Sequence, residues 1–133
     1  MKIGRQFITF AVVGTVGMCV DLGVLYLLAP HLGWYVARVL SFIAAATTTW
    51  ALNRSFTFAT RRSGVSLVRE YAHYLVTMLA GAAINYTVYA ATLHWVGDSI
   101  FTPALGVALG SVAGLLVNFS SARQLVFKVA DKG

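Results

Sequence analysis

Few side chains in this 133-residue chain are able to do chemistry, and they are thinly spread. Its acids are Asp21, Glu70, Asp98 and Asp131, too far apart in sequence to suggest a general acid/base pair, and no base stands ready to activate a nucleophile. No glycine-rich phosphate loop is present, so nothing marks an ATP site. His31, His73 and His94 lack metal-ligand spacing, and Cys19 has no second cysteine, so neither a metal centre nor an intrachain disulfide is expected. The chain reads as a non-enzyme without a cofactor.

What remains is recognition chemistry. Arg54 and Arg123 each follow a long apolar run, and a guanidinium there can hold a phosphate through two parallel hydrogen bonds, which a lysine ammonium cannot. Topological anchoring is the competing explanation, and any basic residue would satisfy it. Arg38 is a third arginine, standing alone at the start of an apolar run. Asp21 lies inside an apolar run, where a carboxylate near mid-bilayer costs about 2.5 to 3.5 kcal/mol, so it is not expected to face lipid. It has two compatible roles: an ion pair with Arg38, or a polar or proton-coupling contact for a substrate. Asn53, Asn85, Tyr89 and Asn118 complete a candidate polar path that could hydrogen-bond and stack on a sugar. Helix packing explains these residues equally well.

The elements that carry them are apolar stretches at about Phe7–Ala29, Val36–Leu52, Tyr71–Leu93 and Phe101–Ser121, each near the ~20 residues a bilayer span needs. With 59% hydrophobic and 11% charged residues, the composition is that of a membrane protein rather than a soluble domain. Nine of the ten basic residues occupy alternate gaps: Lys2 and Arg5; Arg54, Arg61, Arg62 and Arg69; Arg123, Lys128 and Lys132. Arg38 is the exception. The positive-inside rule then sets both termini and the central loop in the cytoplasm. The net charge of +6 reads as a collar for anionic lipid headgroups rather than a nucleic-acid surface. The first stretch is too long, and too much like the later ones, to be a cleaved leader.

The chain also repeats itself. A shift of 64 places sets Phe7 on Tyr71, Phe10 on Tyr74, Gly17 on Gly81 and Asp21 on Asn85; a shift of 69 sets Ala37, Ser41, Ala45, Thr49, Arg54 and Phe58 on Gly106, Gly110, Gly114, Asn118, Arg123 and Phe127. The expected architecture is therefore a single all-α membrane domain over 1–133. Its four transmembrane helices form two parallel tandem helical-hairpin repeats, about 6–58 and 70–127, with both termini cytoplasmic. Small residues four apart make ridges for close helix contact: Gly106, Gly110, Gly114 and Asn118 in one helix, Ala37, Ser41, Ala45, Thr49 and Asn53 in another, and a shorter Gly14, Gly17, Asp21 set. Whether the two long ridges join the halves of one chain or two chains is open. Trp34, Tyr35 and Trp95 suit an outer aromatic belt, and Trp50, Phe56 and Phe58 an inner one. The loop at 59–71 reads as a solvated basic segment or a short interfacial helix.

Phe7, Gly14 and Asp21, then Arg38, Ser41 and Phe42, and above all the Asn53-Arg54-Ser55-Phe56-Thr57-Phe58 ending resemble the GtrA-like family. Asn118-Phe119, Arg123 and Phe127 look like a second-half echo of that ending, and the resemblance spans essentially the whole chain. It implies a small bacterial inner-membrane protein of cell-surface polysaccharide or lipopolysaccharide glycosylation. Such a protein would flip a polyprenyl-phosphate-linked monosaccharide, work beside a membrane glycosyltransferase, and form a homo-oligomer, since four short helices enclose little volume. Where an asparagine is common in that family, four residues before the Asn-Arg pair, this chain has Thr49. Two other classes stay open: a membrane adaptor that only recruits the glycosyltransferase, and a small proton-coupled multidrug exporter. The fixed charge bias and the lack of a glutamate-centred first span weigh against the exporter.

Overall fold

The computed structural model describes residues 2–130, apart from the side chains of Trp34, Tyr35, Pro103 and Ala130. The expected belt residues Trp34 and Tyr35, and the charges of Asp131 and Lys132, lie outside the described residues. The chain is helical, in two compact units: one runs through Gly64 and takes in the segment from Val129, and the other is Val65–Lys128. Among the described residues, three helices are long and apolar enough to cross a membrane: Ile3–Gly33, Leu67–Trp95 and Ala104–Val126.

In the first unit, α1 (Ile3–Leu52) is two helical limbs joined at a kink. Pro30 removes a backbone donor inside the helix, and Gly33 then takes φ 80° and ψ 162°, a conformation open to a residue without Cβ. The expected loop at 30–35 is thus reduced to one non-helical residue. The limbs fold back on each other. Gly17 packs against the Thr49 side chain and the Ala45 carbonyl, Asp21 meets Arg38, and the Phe10 and Phe58 rings lie 6.1 Å apart. A π-helical turn, Asn53–Thr57, follows α1 directly.

The central loop is neither a free basic segment nor an interfacial helix. Arg61–Arg62 (β1) pairs antiparallel with Val129–Ala130 (β2), Arg61 opposite Ala130 and Arg62 opposite Val129. In the second unit, Ser66 caps α2 (Leu67–Trp95) by accepting the Arg69 backbone N–H at 3.4 Å. Gly97, at φ 94°, opens the turn into α3 (Thr102–Ser121), and the Thr102 hydroxyl donates to the Gly97 carbonyl at 2.8 Å. A second π-helical turn, Ala122–Val126, ends α3.

Candidate functional site

The glycine ridge of α3 packs onto α2 of its own unit, which answers the open question of what the ridge meets. A Cβ on Gly110 would stand 2.6 Å from the Asn85 carbonyl oxygen, one on Gly114 would stand 3.2 Å from the Gly81 carbonyl oxygen, and one on Gly106 would meet the Tyr89 ring at 2.9 Å. In return, the Asn118 side chain sits where a Cβ on Gly81 would be. Three candidate polar-path residues, Asn85, Tyr89 and Asn118, therefore come together in one seam. With no hydrophobic force pressing helices together in lipid, this backbone proximity is what gives the seam its dispersion contacts.

Within that seam the Asn118 Oδ1 is buried and accepts no hydrogen bond from the protein. Such an acceptor usually costs free energy unless something meets it. Among the described residues the first unit has no counterpart. Thr49 takes the equivalent place over Gly17, and its hydroxyl donates back to the Ala46 carbonyl at 3.1 Å. The asparagine contacts are accordingly not symmetric.

Asp21 and Arg38 meet as the sequence suggested, with Arg38 Nη1 2.5 Å from Asp21 Oδ1. The Arg38 side chain is 57% exposed and that of Asp21 21%, so the acid is sheltered while the arginine reaches outward. Ser41, fully buried, donates to the Arg38 carbonyl and lies 3.4 Å from the same guanidinium nitrogen. Of the short first-limb ridge, Gly17 and Asp21 meet the second limb, whereas nothing lies within 4 Å of a Cβ built on Gly14.

Arg54 and Arg123 each occupy the second position of a π-helical turn, and both are part-exposed. The two turns are built alike. The Phe58 N–H donates to the Asn53 carbonyl at 2.8 Å and the Phe127 N–H to the Ala122 carbonyl at 2.7 Å, each a five-residue step. The ridges advance four residues at a time, 37 to 53 and 106 to 122. A final step of five keeps Phe58 and Phe127 on the buried side, where both are essentially inaccessible. Phe58 is therefore a packing residue, not part of the inner belt; Phe56, at the surface, and Trp95, also exposed, fit interfacial positions. Asn53 is buried and accepts a 2.7 Å hydrogen bond from the Thr57 hydroxyl, so its side-chain oxygen holds the turn together.

Sequence reasoning passed over two further polar residues. Gln6 and Glu70, each only 2% exposed, sit at positions related by the same shift of 64. They begin matching buried faces, Gln6-Phe10-Val13-Gly17 on α1 and Glu70-Tyr74-Thr77-Gly81 on α2. The shift itself was the available signal.

Comparison with known proteins places the chain among membrane proteins. Over 119 residues, 89% of this chain and 76% of the relative, the sequence is 27% identical to "Uncharacterized membrane protein YngA" of Bacillus subtilis (strain 168). Residues 9–127, from the first limb of α1 to the phenylalanine closing the second π-turn, match the family described as the GtrA/DPMS transmembrane domain, and to that family of membrane domains the chain belongs.

Proposed function

We propose that this protein moves a polyprenyl-phosphate-linked monosaccharide from the cytoplasmic to the outer leaflet of a bacterial inner membrane, for glycosylation of surface polysaccharide or lipopolysaccharide. Family membership supports a role with polyprenyl-phosphate-linked sugars. One observation carries the finer reading: arginine, not merely a basic residue, recurs at the same position of the π-turn that ends each helical pair. In this reading Arg54 and Arg123 receive the phosphate at the cytoplasmic headgroup level and Arg38 receives it outside. Asp21, Asn85, Tyr89 and Asn118 line the sugar's route, and Asn53 supports Arg54. The prenyl tail stays in lipid. No step of covalent chemistry is involved, and net movement follows consumption of the lipid-sugar outside or ion coupling through Asp21.

The same reading takes the limb at residues 34–52 as a fourth crossing, since 19 helical residues rise about 28 Å against a ~30 Å hydrocarbon core. The termini and the arginine-rich loop are then cytoplasmic. The paired contacts Gly17 with Thr49 and Gly81 with Asn118, and the paired π-turns, support two parallel repeats. A homo-oligomer and a neighbouring glycosyltransferase complete the proposal.

The test is reconstitution in liposomes with a polyprenyl-phosphate sugar, measuring its appearance on the opposite leaflet. Arg54→Lys with Arg123→Lys keeps the charge but removes the two-pronged guanidinium. A lost charged hydrogen bond is worth about 1 to 3 kcal/mol, so transport should fall about 5- to 150-fold while insertion survives. Full activity in the double variant would reject phosphate recognition by these arginines. Inactive wild-type protein across several such lipids would instead favour a recruiting adaptor.

A further inference from the structure

The two units differ at two equivalent buried or intramembrane positions, and in opposite senses. The first carries Asp21 where the second carries Asn85; the second carries Glu70 where the first carries Gln6. At these two positions each unit thus has one carboxylate and one near-isosteric amide. Asp21 shows what a carboxylate does in this fold, because it grips an arginine that is otherwise outward-reaching. Glu70 lies at the opposite end of its own helical pair. The seam contacts, Gly81 with Asn118, Asn85 with Gly110 and Gly114, and Tyr89 with Gly106, run in opposite order along α2 and α3. The first turn of α2, which holds Glu70, therefore stands at the end where α3 passes into the π-turn bearing Arg123, and that turn contacts α2.

A carboxylate only 2% exposed needs compensating positive charge. The cations its unit supplies at that end are Arg69, Arg123 and Lys128. These are the groups a lipid phosphate arriving from the same side would seek.

We propose that Glu70 is a resident stand-in for the substrate's phosphate, neutralising the cationic end of its unit when no lipid is bound and competing with the phosphate for it, as Asp21 does for Arg38 at the other end. The inference rests on the phosphate-recognition reading above. It assigns Glu70 a positioning role that sets affinity without forming part of the sugar's route. The competition keeps phosphate binding reversible, because the empty site never leaves its guanidinium uncompensated.

The experiment measures binding of a short-chain prenyl phosphate to purified wild-type protein, to Glu70→Gln and to the Arg54→Lys/Arg123→Lys variant in detergent, with thermal stability recorded alongside. Glutamine is the residue the chain already buries at the equivalent position, Gln6. Removing the competitor should tighten binding about tenfold, equivalent to about 1.4 kcal/mol. A purely structural Glu70 would instead lower stability and leave affinity equal or weaker, and that result overturns the proposal while the arginine variant still tests phosphate recognition separately. Wild-type protein that fails to bind prenyl phosphate overturns both. Should Glu70→Gln not purify, Glu70→Asp draws the carboxylate back by one methylene; tighter binding than wild type sustains the proposal, and equal or weaker binding rejects it.

Discussion

Substituting glycines one at a time by alanine should grade the stability of this protein by what each new methyl meets. At Gly110 a Cβ would lie 2.6 Å from the Asn85 carbonyl oxygen, 0.8 Å short of the 3.4 Å where ordinary contact begins. That oxygen is helix backbone and has no rotamer to change, so α2 and α3 must part locally. A gap of 0.5–1 Å forfeits roughly a quarter to a half of each dispersion contact along the seam. Overpacking of this kind costs about 1 to 3 kcal/mol. At Gly114 the shortfall against the Gly81 carbonyl oxygen is only 0.2 Å, from 3.2 Å, and the cost should be a fraction of that. At Gly23, inside α1, nothing lies within 4 Å. Alanine there should stabilise the helix by up to about 1 kcal/mol through backbone entropy alone. Thermal unfolding followed by tryptophan fluorescence in one detergent should therefore order the variants Gly110→Ala, Gly114→Ala, wild type, Gly23→Ala, from least to most stable. Gly110→Leu should fail to assemble. A Gly110→Ala protein as stable as wild type, or a Gly23→Ala protein as damaged as Gly110→Ala, would refute the reasoning that close backbone approach holds the second unit together.

Topology is open to cysteine labelling in a Cys19→Ser background, Cys19 itself being exposed on its helix. Ser63 is buried and makes a poor reporter, whereas Thr60 and Asp98 are exposed. An impermeant thiol reagent applied to intact spheroplasts should label Asp98→Cys and spare Thr60→Cys, and the reverse pattern would invert the orientation. For Asp21 and Arg38, a double-mutant cycle with Asp21→Asn and Arg38→Gln should give a coupling of about 1 kcal/mol or less, because the proposed topology sets the Arg38 guanidinium at the outer headgroup level, where water screens it. A coupling above about 3 kcal/mol would mean that the pair is sealed from solvent in the membrane.

The ion pair between Asp21 and Arg38 could be anticipated because one acid in an apolar run has few partners, and a long arginine side chain opens the next run. The α3 ridge was equally visible as a close-contact face. Its partner was not, since glycines four apart declare a smooth surface without saying which helix lies on it. Phe58 was misread for a geometric reason: periodicity arguments assume four-residue steps, and the five-residue π-turn moves the phenylalanine from the expected lipid interface to the interior. The burial of Glu70 was concealed by its neighbours, because a glutamate next to Arg69 and close to Arg61 and Arg62 looks like part of a solvated loop. The β1–β2 pairing had no signature at all; two residues per strand are too few to show alternation.

That short pairing bears on how the protein is made. The strand that completes the first unit, Val129–Ala130, is separated from its partner by the whole of the second unit, with 66 residues between Arg62 and Val129, which are paired. A ribosome adding about 5–20 residues per second needs roughly 3 to 13 s to cover that distance. Through that interval the helices of the first unit can already be in the membrane while the edge of β1 waits without its strand partner, open to water and to any other extended segment. Completion of the first unit is thus timed by residues made only after the whole of the second, and a ribosome stalled anywhere inside the second unit would leave both unfinished.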